Sequence, residues 1–121
     1  MANIAEQIVD MLVKAGVKRI YAVTGDSLNK INDAVRKDGR IQWIHVRHEE
    51  TGAFAAGAEA QLHGDLACCA GSSGPGHVHL INGLYDAHRS GAPVLAIAST
   101  IISGEFGTTY FLSLIHISEP T

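Results

Sequence analysis

Residues 66–76 read Leu66-Ala67-Cys68-Cys69-Ala70-Gly71-Ser72-Ser73-Gly74-Pro75-Gly76. Five apolar residues without a charge, closed by a turn with three further glycines, have the pattern of a strand buried on both faces, as in parallel sheets. Outward from this stretch, the chain alternates short β-prone runs with helical periodicity. Upstream, Ile4, Ile8, Met11, Leu12 and Ala15 recur at helical spacing ahead of Gly16, which predicts an amphipathic helix over 3–15. A strand follows at Ile20–Val23. Leu28, Ile31 and Val35 mark a second helix, capped by Asp26 or Ser27 and closed by Asp38-Gly39. Ile41–Val46 is the next strand, and a helix rich in Ala and Gly runs from about Glu49 to Leu62, ended by Gly64. Downstream, one helix over 76–88 and a strand over 93–98 complete the series.

Strands alternating with helices through short connections predict βαβ units. The fold class is therefore α/β, an open parallel sheet with helices on both faces. At 121 residues the chain is one domain in length. Hydrophobic residues make up 46% and charged residues 17%, too apolar for a disordered chain. The net charge of −3 and the absence of a Lys/Arg cluster argue against a nucleic acid or an anionic membrane as partner. No apolar run approaches the roughly 20 residues of a membrane span, and Met1-Ala2-Asn3-Ile4 lacks a signal-peptide pattern, so a cytoplasmic place is expected. Adjacent Cys68 and Cys69 read as buried free thiols, in keeping with a reducing compartment.

Ligands of open α/β sheets bind beyond the carboxyl ends of the strands. The segments there are Thr24-Gly25-Asp26-Ser27, Arg47-His48-Glu49-Glu50, Gly71–Gly76 and Ser99-Thr100. Strand-to-helix turns also need glycine and capping residues for purely structural reasons, so the clustering alone does not make a site. Glu49 has two readings. It can cap its helix, or, in surroundings that offer its carboxylate little water, it can share a proton with a ligand's ring nitrogen. Gly71–Gly76 lets a ligand approach the backbone, because glycine lacks the Cβ that would block it. His77-Val78 follows where a P-loop needs Lys and Ser/Thr, and neither the dinucleotide fingerprint nor the nucleophile elbow is met. Among seven histidines, His77, His79 and His88 come nearest to a cluster, but His77 and His79 fall on different sides of the predicted helix, and no metal site is expected.

Four blocks in fixed order carry a family resemblance. They are Ala15-Gly16-Val17-Lys18-Arg19-Ile20; Val23-Thr24-Gly25-Asp26-Ser27-Leu28-Asn29; Arg47-His48-Glu49-Glu50 with its Ala-Gly helix; and Gly74-Pro75-Gly76 leading to Asn82-Gly83-Leu84-Tyr85-Asp86-Ala87 and Pro93-Val94-Leu95-Ala96-Ile97. Over residues 4–111 the sequence is similar to the amino-terminal, pyrimidine-binding domain of thiamine-diphosphate-dependent enzymes acting on 2-keto acids. The nearest likeness is to the pyruvate oxidase and quinone-dependent pyruvate dehydrogenase group. Acetolactate synthases usually carry Ala-Thr-Asn where this chain has His77-Val78-His79.

The resemblance implies that Glu49 is the catalytic glutamate, hydrogen-bonded to N1′ of the aminopyrimidine and favouring the tautomer whose 4′-nitrogen deprotonates thiazolium C2. Thr24, Gly25, Glu49, Gly74, Pro75 and Asn82 form the expected cofactor-binding set, with the Asn82 amide tying its helix to adjacent backbone. Glu50 is expected to be structural or solvated. The parent enzyme would oxidatively decarboxylate pyruvate, with FAD as electron acceptor and Mg²⁺ on the diphosphate, both held by domains this chain lacks. Its Gly-Asp-Gly diphosphate motif is absent here. The parent is expected to be at least a homodimer that shares its site between subunits, cytoplasmic or peripheral to the inner face of the membrane. Alternatives are an acetolactate synthase-like or other 2-keto acid decarboxylase, and a free-standing pyrimidine-binding subunit without activity of its own. The likeness stops after Tyr110-Phe111; residues 112–121 resemble translated adapter or vector sequence, which sets the incomplete domain at 1–111.

Overall fold

A computed structural model of the chain describes residues 1–108. The domain boundary at 111 and the reading of 112–121 lie outside the described residues. Helix α1 (Ile4–Lys14) precedes strand β1 (Arg19–Ala22); a 3₁₀ turn (Asp26–Leu28) leads into α2 (Asn29–Asp38) and β2 (Gln42–His45). Helix α3 (Glu49–His63), β3 (Ala67–Gly71), α4 (Pro75–Val78), α5 (Ile81–Arg89) and β4 (Val94–Ala98) follow, then a 3₁₀ turn at Ser103–Glu105. The four strands form one parallel sheet in the order β2-β1-β3-β4. Ile20 stands opposite both Trp43 and Cys68, and Cys68 opposite Leu95.

Successive strand residues point to opposite faces, and the core divides accordingly. Ile20, Ala22, Cys68 and Ala70 meet Val9, Leu12 and Val35 of α1 and α2 on one side. Ala67 and Cys69 meet Ala53, Ala56 and Ala60 of α3, with Leu80, on the other. All five residues of β3 are buried, as its apolar run predicts. Both cysteines are free and buried. Each fully buried Ile20, Leu28 or Leu80 side chain contributes about 1.5–3 kcal/mol relative to exposure.

Local signals explain most element ends. Asn3 and Glu6 form a reciprocal capping box on α1, with Asn3 Oδ1 accepting from the Glu6 N–H at 2.9 Å. Gly39 and Gly64 cap α2 and α3 at φ +76° and +74°, a left-handed conformation that favours glycine.

Three expectations need correction. Asp26 and Ser27 make no cap on the second helix: Leu28 precedes α2 without a side-chain cap, and the Ser27 hydroxyl is taken by the Ser73 N–H and Ser99. The single helix expected over 76–88 is two helices, because the backbone tightens at His79-Leu80, where the Leu80 N–H bonds the carbonyl of His77 three residues back. In α1 the core side is held by Val9 and Leu12, whereas Ile4, Ile8 and Met11 are exposed. Their spacing is helical, but they lie about a quarter-turn round from Val9 and Leu12, beside the face that meets the sheet.

Candidate functional site

The chain leaves β1 for β2 on one side of the sheet, while β3 pairs with β1 on the other. This reversal opens a crevice beyond the carboxyl ends of β1 and β3, the place where such sheets take ligands. The turns after the strands line it. Gly25 lies against Ser72 so closely that a Cβ there would stand 2.5 Å from Ser72 Cβ. A hydroxyl clasp holds the turns together: Ser27 Oγ accepts from the Ser73 N–H at 2.9 Å and lies 2.7 Å from Ser99 Oγ. Ser99 Oγ donates to the Gly71 carbonyl at 3.0 Å, so Ser27 is the donor to Ser99. His77 Nδ1 lies 2.9 Å from the Ser99 carbonyl, which assigns the proton to that nitrogen.

Glu49 opens α3 at the rim of this crevice. Gly52 lets the helix start come close: a Cβ there would stand 3.2 Å from Val46 Cγ2 and 3.3 Å from the Tyr21 carbonyl oxygen. The Glu49 residue is 8% exposed, the one charged or polar residue in the buried class among the described residues. Its Oε2 lies 3.1 Å from His79 Nδ1, which therefore donates. Its Oε1 faces Gly76, where a Cβ would stand 3.3 Å away, and accepts no hydrogen bond among the described residues. A carboxylate oxygen without a donor, on a side chain otherwise withdrawn from solvent, is open to a hydrogen bond from a ligand N–H.

His48, rather than Glu49, caps α3. Its Nδ1 accepts from the Glu50 N–H at 3.1 Å, and its ring stacks on His79 with centroids 4.4 Å apart. Asn82 donates to Glu50 Oε2 at 2.9 Å, so its partner is a side chain rather than the adjacent backbone. Glu50 is thereby structural, tying α3 to α5.

Of the predicted residues, the structure gathers Glu49 at Gly76, and Gly76 at Ser72 beside Gly25. Gly74 caps α4 at φ +72° and Pro75 begins that helix, so both shape the turn. Thr24 is exposed next to Gly25. Ser27, Ser72, Ser99 and His79 also line the candidate site, and the sequence did not single them out for it. Their only signal was position in the four turns, or, for His79, its spacing from His77 and His88. The histidine cluster differs from the expected one: His48, Glu49 and His79 offer ligand atoms within 4.8 Å of one another. No helix among the described residues is long and apolar enough to cross a membrane.

A parallel α/β sheet with a buried glutamate at its carboxyl rim, beside a glycine turn, has the layout of the α/β domains that take ligands at a topological switch point. The sequence matches the family "Thiamine pyrophosphate enzyme, N-terminal TPP binding domain" over residues 2–118, and the chain belongs to that family. It is 64% identical over 113 residues to an uncharacterised 42.6 kDa protein of the isoamylase 3′ region from Pseudomonas amyloderamosa, covering 92% of this chain and 28% of that protein. It is 48% identical over 103 residues to a pyruvate oxidase from Lactiplantibacillus plantarum, covering 84% and 16% respectively. Acetolactate synthase of Bacillus subtilis is 36% identical over 101 residues, covering 84% and 18%. The chain thus spans between 16% and 28% of the length of these relatives.

The residues present fit the pyrimidine half of the cofactor on structural grounds. Oε1 of Glu49 supplies an acceptor with no hydrogen-bond partner among the described residues, and glycine at position 76 spares it a Cβ that would stand 3.3 Å away.

Proposed function

We propose that this domain holds the aminopyrimidine of thiamine diphosphate through Glu49, in an enzyme that oxidatively decarboxylates pyruvate and passes the electrons to a flavin. The observation that carries the proposal is the Glu49 carboxylate: buried at the sheet rim, with Oε2 engaged by His79 and Oε1 free toward Gly76. In this reading Oε1 shares a proton with ring nitrogen N1′, while Thr24, Gly25, Gly74 and Pro75 line the approach and Asn82 steadies the start of α3 through Glu50. When bound, the cofactor supplies the electron sink on which a 2-keto acid loses carbon dioxide. The contribution of the chain is to keep the carboxylate dry, oriented and next to the ring.

Pyruvate as the substrate, and FAD and Mg²⁺ as further cofactors of the longer parent, are part of the proposal, as are a homo-oligomeric state and a cytoplasmic or peripheral membrane place. The 48% identity to a pyruvate oxidase, against 36% to the acetolactate synthase, supports the oxidase reading, as does His77-Val78-His79 after the glycine turn. The test is Glu49→Gln in the full-length protein. Turnover of pyruvate is expected to be nearly abolished while the circular-dichroism spectrum and melting temperature stay at wild-type values. Wild-type rates would overturn the role of Glu49. Anaerobic addition of pyruvate separates the two parent activities: reduction of bound flavin supports the oxidase, and acetolactate formation without it supports the synthase.

A further inference from the structure

We infer that His79 is a positioning residue for Glu49: it holds Oε2 so that Oε1 is the oxygen left for the cofactor's ring nitrogen, and the ring of His48 fixes His79 in turn. The inference rests on the reading of Glu49 as the pyrimidine partner.

A carboxylate has two equivalent oxygens and a freely turning terminal torsion. At the start of α3, one N–H donor divides them. His79 Nδ1 stands 3.1 Å from Oε2, and no other group hydrogen-bonds the Glu49 carboxylate among the described residues. Because a carboxylate only accepts, the proton on His79 is on Nδ1. His79 comes from the tightened backbone between α4 and α5, so the bond also spans two separate elements. Its ring plane is set by His48, stacked at 4.4 Å with 24° between the planes. His48 cannot swing freely, since its own Nδ1 caps α3 by accepting from the Glu50 N–H. A fixed ring therefore fixes a second ring, which fixes the carboxylate.

The same three side chains invite a cation reading, and the geometry disfavours it. Imidazole lone pairs lie in the ring plane, so rings stacked at 24° hold theirs in two nearly parallel, separated planes instead of aiming them at one point. Both Nδ1 atoms are already engaged, one by Glu49 and the other by the Glu50 N–H.

Two measurements test the inference. In the 121-residue chain, nitrogen-15 NMR of the imidazoles should show His79 protonated at Nδ1, reverting in Glu49→Ala to the Nε2–H form that free histidine favours. An Nε2–H tautomer of His79 in the wild-type chain would overturn the proposed bond. The second arm needs no isolated domain. In the full-length enzyme, His79→Phe keeps a ring for His48 to stack on but loses the donor, whereas His79→Asn places an amide nitrogen the same number of bonds from Cα as Nδ1. His79→Phe should lower kcat by about 10- to 100-fold, the scale seen when a supporting hydrogen bond to a functional ligand is removed. KM for pyruvate should move less than threefold, and His79→Asn should recover most of the lost rate. A merely structural ring would give the opposite order, with Phe near wild type and Asn impaired, and that result would sink the inference. Failure of the underlying reading looks different. Glu49→Gln would then run at the wild-type rate, while the His79 tautomer would still report whether the bond exists.

Discussion

Gly83 of α5 sits directly on Ala53 of α3: a Cβ at position 83 would stand 2.4 Å from Ala53 Cβ and 2.6 Å from the Phe54 nitrogen. Backbone cannot yield as a side chain tip can, so Gly83→Ala must push the two helices apart. The helix-propensity gain of about 1 kcal/mol for Gly→Ala is then outweighed by overpacking of about 1–3 kcal/mol. Gly57 on the same interface is the control, because its Cβ would meet Ala87 Cβ at an ordinary 3.5 Å. Urea unfolding should rank Gly83→Ala below wild type and Gly57→Ala at or above it. Equal stabilities for the two variants would show that the helices are not in this register.

The hydroxyl clasp makes a second prediction. Ser27→Ala removes the acceptor of the Ser73 N–H and the donor to Ser99 together. The cost should be about 1 kcal/mol, at the lower end for a lost acceptor because the site is only partly buried. Ser99→Ala should cost a similar amount, and the double variant less than the sum, since the two changes break one shared network. Amide exchange at Ser73 should quicken in each variant. Strict additivity would mean that the serines act independently.

What the sequence disclosed follows from which signals are local. The apolar run of β3, the Gly39 and Gly64 caps and the alternation of elements depend on near neighbours, and the parallel α/β sheet could be read from them. The position of Glu49 at the crevice followed from its place just beyond the second strand and from the resemblance. Its partner did not, because His79 lies thirty residues downstream. His79 is also not where one continuous helix would place it, since the backbone tightens just beyond it. The same kind of distance hid the roles of Ser27 and Asn82. As local signals they read as a cap and a backbone tie, whereas their partners, Ser73 and Glu50, come from other elements. In α1 the pattern of Ile4, Ile8, Met11, Leu12 and Ala15 identified a helix, but a broad apolar arc does not state which part of it meets the sheet, and of these five Leu12 is the one in the core.

Burial pushes the Cys68 and Cys69 thiols up from 9.0 to about 12, with the neighbouring Cys69 adding to the effect on Cys68. These thiols stay protonated in the folded chain while those of the unfolded chain ionise above pH 9. The unfolded state then binds fewer protons, so stability falls as pH rises from about 9 toward 12. Each thiol should contribute a slope of about 1.4 kcal/mol per pH unit within that window and nothing below it. Urea titrations from pH 8 to 10.5 on wild type and on the Cys68→Ala/Cys69→Ala variant measure this. The variant is expected to be less stable at pH 8 but flatter above pH 9, and parallel curves would refute burial as the cause.

The tightest contact across the crevice gives a rescue experiment. Gly25 has an extended backbone, φ −150° and ψ 157°, that alanine also adopts, so any harm from Gly25→Ala comes from the new methyl alone. That methyl would stand 2.5 Å from Ser72 Cβ and 2.7 Å from Ser72 Oγ, and would drive the turn after β3 away from the turn after β1. Gly25→Ala should therefore cost about 1–3 kcal/mol in urea unfolding. In the full-length enzyme it should also weaken thiamine diphosphate binding, because Ser72 in turn abuts Gly76 in front of Glu49 Oε1. Ser72→Gly removes both clashing atoms. The double variant should return to within about 1 kcal/mol of wild type, the residual being the backbone entropy of the added glycine. If Ser72→Gly fails to restore either stability or cofactor affinity, the two turns do not meet at these side chains.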